Sequence, residues 1–187
     1  MTDITRRPLQ IRPATPAGDP GSGPGNDGND PSLPELMSFA ELLFFAYRDF
    51  ISDPDIILAY IGYGRAHHRV LHFVNRKPGL RVADLLEILK ITKQSLARVL
   101  KQLIDDGYIR QQAGSSDRRQ RLLYPTEKGL QLAARLAKPQ LDRISRAIAA
   151  TDEEEKNVIR RFLSHMISEN ERLYVADLIA RKPDQDR

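Results

Sequence analysis

The sequence lacks cysteine and tryptophan altogether, and it has only six Phe and six Tyr among 187 residues. The absence of cysteine excludes disulfide scaffolds, thiolate zinc sites, iron–sulfur clusters, cysteine nucleophiles and thiol redox sensors. The longest apolar runs, residues 42–47 and 56–61, are too short to span a bilayer, which takes about 20 apolar residues. The first ten residues are followed by a Pro/Gly-rich stretch and not by an apolar segment, so no signal peptide is predicted. These absences favour a cytoplasmic protein that does not enter a membrane.

Positive charge is concentrated in one part of the chain. Residues 65–121 carry thirteen Lys and Arg against five acidic residues, a net charge of +8, whereas residues 34–64 have a net charge of −4. A block of this charge is typical of proteins that bind a polyanion. Nucleic acid is the favoured candidate for this polyanion, and a membrane surface is the next. Charge alone leaves open the alternative of a solvated basic surface without a partner.

Composition separates an N-terminal tail from a helical remainder. Residues 1–33 contain six Pro and five Gly. Such a segment cannot bury enough apolar surface to offset its ordering entropy, so we predict a disordered tail. Apolar residues at helical spacing begin after Pro34. This first helix is expected to stop near Ser52, because Pro54 disfavours the helical conformation of the residue before it.

Two short helices and a hairpin are predicted within the basic block. Apolar residues occur at positions i, i+3, i+4 and i+7 from Val82 and again from Leu96, and Thr92 is a suitable N-cap for the second helix. Residues 108–113 and 121–124 are rich in strand formers, which predicts a hairpin with a basic loop. Two helices joined by a tight turn and followed by a hairpin indicate a winged helix-turn-helix, whose second helix enters the major groove of DNA.

Two longer helices are predicted after the hairpin. The first starts at the N-cap Thr126 and runs to about Ala149, and Pro139 should kink or split it. The second runs from Asp152 to Ile179. Its apolar stripe is too long to be buried against a 60-residue core alone, which favours a second copy as its partner; the stripe consists of Val158, Phe162, Met166 and Leu173.

Side chains suited to base readout lie on the outward face of the second short helix. Gln can pair with adenine and Arg with guanine through two hydrogen bonds each. The hairpin loop has three Arg in five residues, which repel one another unless an anion accepts them. We expect Asp117 to orient the Arg119 guanidinium towards a narrow minor groove. The predicted DNA-contacting residues are Thr92, Lys93, Gln94, Ser95, Arg98 and Lys101 on the helix, and Asp117, Arg118, Arg119 and Arg121 on the hairpin.

Three stretches of the sequence match a known pattern: GRAHHRVLHFV, VADLLEILKITKQSLARVLKQLIDDGYI and SSDRRQRLLYPTEKG. They resemble the MarR family of bacterial transcription regulators, and the resemblance covers roughly residues 34–180. The family's Asp-x-Arg wing signature matches Asp117 and Arg119. Its Leu-x-Leu-Thr-x-x-Gly junction matches residues 123–129, except that Pro125 replaces the second Leu. The stretches FFAYRDF and KITKQSLARVL are similar to the PetP-like subgroup of this family.

The resemblance implies a homodimer that binds a pseudo-palindromic operator, with a pocket for a small-molecule effector between the dimer region and the reading domain. The expected fold is mainly α with a small β-hairpin wing (α+β). By family analogy, the effector pocket would be lined by Tyr60, Tyr63, Arg65 and His68. The expected organisation is a disordered tail at 1–33, a helical dimerisation region at 34–63 and 126–180, a winged helix-turn-helix DNA-binding domain at 64–125 and a flexible C-terminus at 181–187.

Other classes of function find little support in the residues. His68 and His72 have the i, i+4 spacing of a metal pair, but few acids lie nearby and no H-E-x-x-H frame is present, so no metal or cofactor is expected. No phosphate loop and no nucleophile–base set occurs, so no enzymatic activity is expected. The alternative is a winged-helix protein–protein docking module. Its surface should be apolar or acidic where this chain has Arg98 and Lys101.

Overall fold

The computed structural model describes residues 30–114 and 117–180, which form seven helices and a three-stranded sheet. This mixture confirms the expected fold class. The helices are α1 (Leu33–Tyr60), α2 (Arg65–Arg76), α3 (Val82–Leu89), α4 (Lys93–Asp105), α5 (Glu127–Ile148), α6 (Glu153–His165) and α7 (Glu169–Ala180). The strands are β1 (Leu80–Arg81), β2 (Ile109–Ala113) and β3 (Arg121–Pro125).

The chain divides into two compact units, Met1–Ala40 and Glu41–Arg187. In the first unit, the described residues 30–40 contain the start of α1; the second unit holds the rest of α1 and the other elements. The predicted disordered tail falls outside the described residues as far as residue 29, and the predicted flexible C-terminus, residues 181–187, falls outside them entirely. None of the described helices is both long and apolar enough to cross a lipid bilayer.

The core of the second unit lies where the helices pack on a small antiparallel sheet. The central strand β3 pairs with β1 through Leu80 and Leu123, and with β2 from Ile109–Pro125 to Ala113–Arg121. Leu58 and Tyr63, from the end of α1 and the turn after it, are buried in this core. The helices contribute the other buried side chains, among them Val70, Leu71, Val74, Leu85, Leu89, Leu96, Leu100, Leu103, Leu132 and Leu136.

Helix α1 continues through Pro54 to Tyr60, so the predicted stop near Ser52 is wrong. A proline in a helix leaves the carbonyl four residues earlier without its donor. Here that carbonyl belongs to Phe50, and it accepts a hydrogen bond from Gln140 Nε2 of α5 at 3.1 Å. Because a side chain replaces the missing backbone donor, the helix is not interrupted.

The predicted continuous helix from Asp152 to Ile179 is also wrong, because α6 ends at His165 and α7 begins at Glu169. The Arg172 side chain stabilises the break by donating hydrogen bonds to two free carbonyls, that of Ile167 at 3.0 Å and that of His165 at 3.1 Å. Ser168 precedes Glu171 at the spacing of a capping box, which is a sequence signal for a new helix start. By contrast, Pro139 does not split α5.

Candidate nucleic-acid interface

Helix α4 presents a polar face whose orientation is set by a cap and a buried ridge. Thr92 is its N-cap: the hydroxyl oxygen accepts a hydrogen bond from the Ser95 backbone N–H at 3.2 Å, which confirms the predicted cap. Such a cap contributes about 1 kcal/mol. The buried ridge consists of Leu96, Val99, Leu100 and Leu103. The exposed residues include all those predicted here to contact DNA, namely Thr92, Lys93, Gln94, Ser95, Arg98 and Lys101.

Two cations on α4 differ in their electrostatic environment. Lys101 forms an ion pair with Asp105 one turn later, and the hydrogen bond to that carboxylate raises the pKa of the Lys101 ammonium group. Arg98 has no ion pair with any residue that the structure describes. The guanidinium of Arg98 is therefore available to an external anion or base edge, whereas the charge of Lys101 is partly neutralised.

The β2–β3 hairpin is closed at its tip by hydrogen bonds within the loop. The Gly114 N–H donates to the Gln120 carbonyl at 3.1 Å, and the Gln120 N–H donates to the Asp117 carbonyl at 3.0 Å. Gly114 is required at this point, because a Cβ there would lie 2.7 Å from the Asp117 carbonyl oxygen. Residues 115 and 116 of the loop lie outside the described residues.

Asp117 acts on the backbone of the wing and not on an arginine side chain. Its Oδ1 accepts a hydrogen bond from the Arg119 backbone N–H at 2.9 Å. The expectation that it orients the Arg119 guanidinium is therefore corrected: the carboxylate shapes the turn, as aspartate does in an Asx-turn. Arg118, Arg119 and Arg121 are all exposed, and they make this hairpin a strongly basic projection.

Arg110 is an exposed basic residue of the hairpin that the sequence analysis did not select. It pairs across the strands with Tyr124, and its guanidinium lies 4.5 Å from the centre of that ring. Strand alternation places Gln112 on the same face. Alternation along β2 is the sequence signal that identifies Arg110 and Gln112 as residues of one face.

The residues assigned to an effector pocket by resemblance do not share one environment. Tyr60 is 88% exposed, whereas Tyr63 is buried and its hydroxyl donates a hydrogen bond to Asp106 at 2.6 Å. Burial and the neighbouring Asp106 carboxylate raise the pKa of the Tyr63 phenol. Arg65 pairs with an aspartate of α1 at 2.8 Å. His68 is half-buried, and this burial lowers its pKa.

A cleft of about 490 Å³ lies elsewhere, between α7 and the helices α2 and α3. The Lys90–Glu171 ion pair and a 2.8 Å hydrogen bond from Arg76 to the Leu178 carbonyl hold α7 beside it. None of the four residues above lines this cleft. Its apolar lining is Phe73, Ile88, Tyr174, Val175 and Leu178, and its polar lining is Lys77, Arg81, Asp84, Glu87, Asn170 and Glu171.

The described part of the chain contains no group of three or more metal-binding side chains. His67 uses both ring nitrogens within the fold: Nδ1 accepts from the Gly64 N–H at 3.1 Å, and Nε2 lies 2.9 Å from Gln102 Oε1. The polar side chains that α4 and the hairpin expose include several Arg, Lys and Gln residues. Such side chains bind phosphates and base edges.

Comparison with known proteins agrees with this geometry. The MarR family pattern matches residues 61–120. The HTH-type transcriptional regulator PetP of Rhodobacter capsulatus is 46% identical over 133 residues, which are 71% of this chain and 80% of PetP.

Solved structures show the same fold. Streptococcus pneumoniae FabT, crystallised in complex with DNA, is 18% identical with a TM-score of 0.63, covering 76% of this chain and 99% of FabT. A MarR transcriptional regulator from Methanosarcina mazei is 26% identical with a TM-score of 0.54, covering 71% of this chain and 94% of that protein. Together with the capped α4 and the basic hairpin, these similarities show that this chain belongs to the MarR family of transcription regulators.

Proposed function

We propose that this regulator binds double-stranded DNA sequence-specifically, as a homodimer on a pseudo-palindromic operator. Helix α4 enters the major groove with Gln94 and Arg98 at the base edges, and Arg118 and Arg119 reach the backbone or minor groove. The observation that carries the proposal is the exposed Arg98, which has no ion pair among the described residues and lies on a helix face set by the Thr92 cap and the buried ridge. The similar FabT structure, which contains DNA, supports this use of the fold.

In this proposal, residues 64–125 form the DNA-reading domain and residues 34–63 and 126–180 form the dimerisation region. The protein acts in the cytoplasm, where chromosomal DNA is accessible to it. Large apolar side chains are exposed in the proposed dimerisation region of the second unit, including Val158, Phe162, Met166 and Leu173. A group of large apolar side chains left exposed in one chain favours their burial against a second copy.

The test of DNA binding uses duplexes selected from a random-sequence library by repeated rounds of binding. We expect fluorescence anisotropy to show at least about a thousandfold preference for the selected duplex over random DNA at physiological salt. Equal affinity for both duplexes would contradict sequence-specific reading. A protein that binds no DNA at all would favour the alternative of a protein–protein docking module.

Replacing Phe162 by glutamate is expected to convert the dimer into a monomer at micromolar concentration. Phe162 is 42% exposed in one chain. A glutamate carboxylate there could be buried against a second copy only with an opposite charge or hydrogen-bond donors beside it, because burying an uncompensated charge is costly. Sedimentation velocity checks the mass. The matched control is Arg161→Glu on the neighbouring exposed position of α6, which should remain dimeric. A wild-type protein that sediments as a monomer would contradict the proposal.

Replacing Arg119 by alanine is expected to leave the fold intact and weaken DNA binding. If Arg119 neutralises one phosphate in each subunit, the slope of log K against log salt falls by about 1.8 for the dimer. A salt titration of binding measures this slope. Lys138→Ala is the control, because this lysine of α5 lies outside the basic block and pairs with Asp142 at 2.8 Å. An unchanged slope and affinity for Arg119→Ala would remove the wing from the interface.

We further propose that this regulator binds a small-molecule effector. The cleft beside α7 has a volume sufficient for such a molecule. Its apolar walls and charged rim suit an amphipathic molecule. The test is a screen of amphipathic compounds for those that raise the melting temperature of the protein. The Ile88→Arg variant, whose larger side chain should fill the cleft, is expected to abolish this shift. A ligand whose shift survives Ile88→Arg but is lost in Tyr60→Ala would point instead to the pocket assigned by resemblance, formed by Tyr60, Tyr63, Arg65 and His68.

A further inference from the structure

Two polar side-chain pairs join the start of α2 to the last turn of α4. The Tyr63 hydroxyl donates to Asp106 Oδ2 at 2.6 Å, and His67 Nε2 lies 2.9 Å from Gln102 Oε1. Tyr63 and His67 are only 7% and 8% exposed, and their rings stack with centroids 4.4 Å apart. These four residues are called the α2–α4 clamp below.

The hydrogen-bond pattern assigns the tautomer of the neutral His67 ring. Its Nδ1 faces the Gly64 N–H, which can only donate, at 3.1 Å. Nδ1 therefore accepts, the ring proton lies on Nε2, and Nε2 donates to Gln102 Oε1. One imidazole thus caps α2 and holds α4 at the same time.

The same end of α4 is also held from α5. The Lys128 ammonium group donates to the Asp106 carbonyl at 2.8 Å, and the Thr126 hydroxyl donates to the Gly107 carbonyl at 2.7 Å. Aliphatic contacts along the buried ridge of α4 resist its separation from the core, but they are not directional. The hydrogen bonds of the clamp are directional and fix the angle of the helix.

We propose that Tyr63 and His67 are positioning residues that set the sequence specificity of DNA binding without touching DNA. This inference rests on the proposed function. Bidentate contacts to base edges tolerate only small displacements, whereas long basic side chains can follow a phosphate as the helix tilts. A loosened α4 should therefore lose affinity for its operator and keep its affinity for random DNA.

Three variants each remove one hydrogen bond made by His67 or Tyr63, so that the contribution of each bond can be measured. His67→Asn keeps an acceptor near the position of Nδ1 and loses the bond to Gln102. His67→Gln keeps a donor near the position of Nε2 and loses the bond from Gly64. Tyr63→Phe removes only the hydroxyl group and retains the stacked ring. His72→Asn is the control, because His72 is an exposed histidine of the same helix.

Each variant is compared on the selected duplex and on random DNA, well below its melting temperature. We expect His67→Asn and Tyr63→Phe to lower the ratio of specific to random affinity about tenfold, with random-DNA affinity unchanged. His67→Gln should retain the wild-type ratio but melt at a lower temperature, and His72→Asn should change neither.

Equal losses on both duplexes, or a ratio unchanged by both His67→Asn and Tyr63→Phe, would overturn the inference. Tyr63→Phe decides the question on its own if a His67 variant does not fold. Failure of the proposed function looks different, since the wild-type protein itself would then show no sequence preference.

Discussion

Replacing Gly129 by alanine is expected to lower the free energy of unfolding by about 3 kcal/mol or more. A Cβ at this position would lie 2.0 Å from the Tyr108 carbonyl oxygen, a backbone atom that cannot rotate away. That carbonyl accepts a hydrogen bond from the Thr126 N–H at 3.1 Å, and the Gly129 N–H donates to the Thr126 hydroxyl at 3.0 Å. Relieving the clash therefore breaks the junction between the hairpin and α5.

Thermal and chemical denaturation measure this loss at a fixed protein concentration. The melting temperature should fall by about 10 °C for a chain of this size. Gly64→Ala is the control: nothing lies within 4 Å of a Cβ at that position, so only the preference for Gly over Ala at the N-cap of α2, about 1 kcal/mol or less, is expected to be lost. Similar melting temperatures for the two variants would contradict the close packing of Gly129 on Tyr108.

Replacing Arg98 by alanine is expected to weaken binding to the selected duplex by about 1–3 kcal/mol per half-site. The guanidinium is exposed, and it has no ion pair among the described residues that would compete with a base. Random DNA should be affected much less, because it offers phosphates and no matching base edge. The preference for one base pair in each half-site should also relax.

Binding measured on a set of single-base-pair operator variants checks the role of Arg98. Lys101→Ala is the control on the same helix, since the Lys101 ammonium group is already paired with Asp105. This control should lower specific and random affinity by similar, smaller factors. If Arg98→Ala behaves in the same way, Arg98 contacts a phosphate and does not read a base.

Much of the proposed DNA-reading region could be predicted from local sequence patterns. The apolar spacing from Val82 and from Leu96 predicts α3 and α4 with their observed buried faces, and Thr92 and Thr126 are the observed N-caps. Such features depend on residues within a few positions of one another. A periodic face, a cap or a turn is therefore visible in the sequence alone.

The errors occur where the folded chain gives a group a different partner from the one that a local rule predicts. A proline normally ends a helix, yet Pro54 does not, because Gln140 supplies the missing donor to a carbonyl 90 positions away. Charge pairing predicts a guanidinium as the partner of the Asp117 carboxylate, but in the tight turn this carboxylate accepts a hydrogen bond from the Arg119 backbone N–H. In both cases the geometry of the folded chain selects the partner.

The sequence by itself determined the winged helix-turn-helix order and the exposed basic face of α4, because these follow from short-range periodicity and charge, and its motifs carry the resemblance to the MarR family. Only the tertiary structure decided which groups hold α4 in place. Tyr63 and Asp106 are 43 positions apart, and His67 and Gln102 are 35 apart. No pattern in the chain marks these pairs, since a hydrogen bond between remote side chains depends on how the helices that carry them pack.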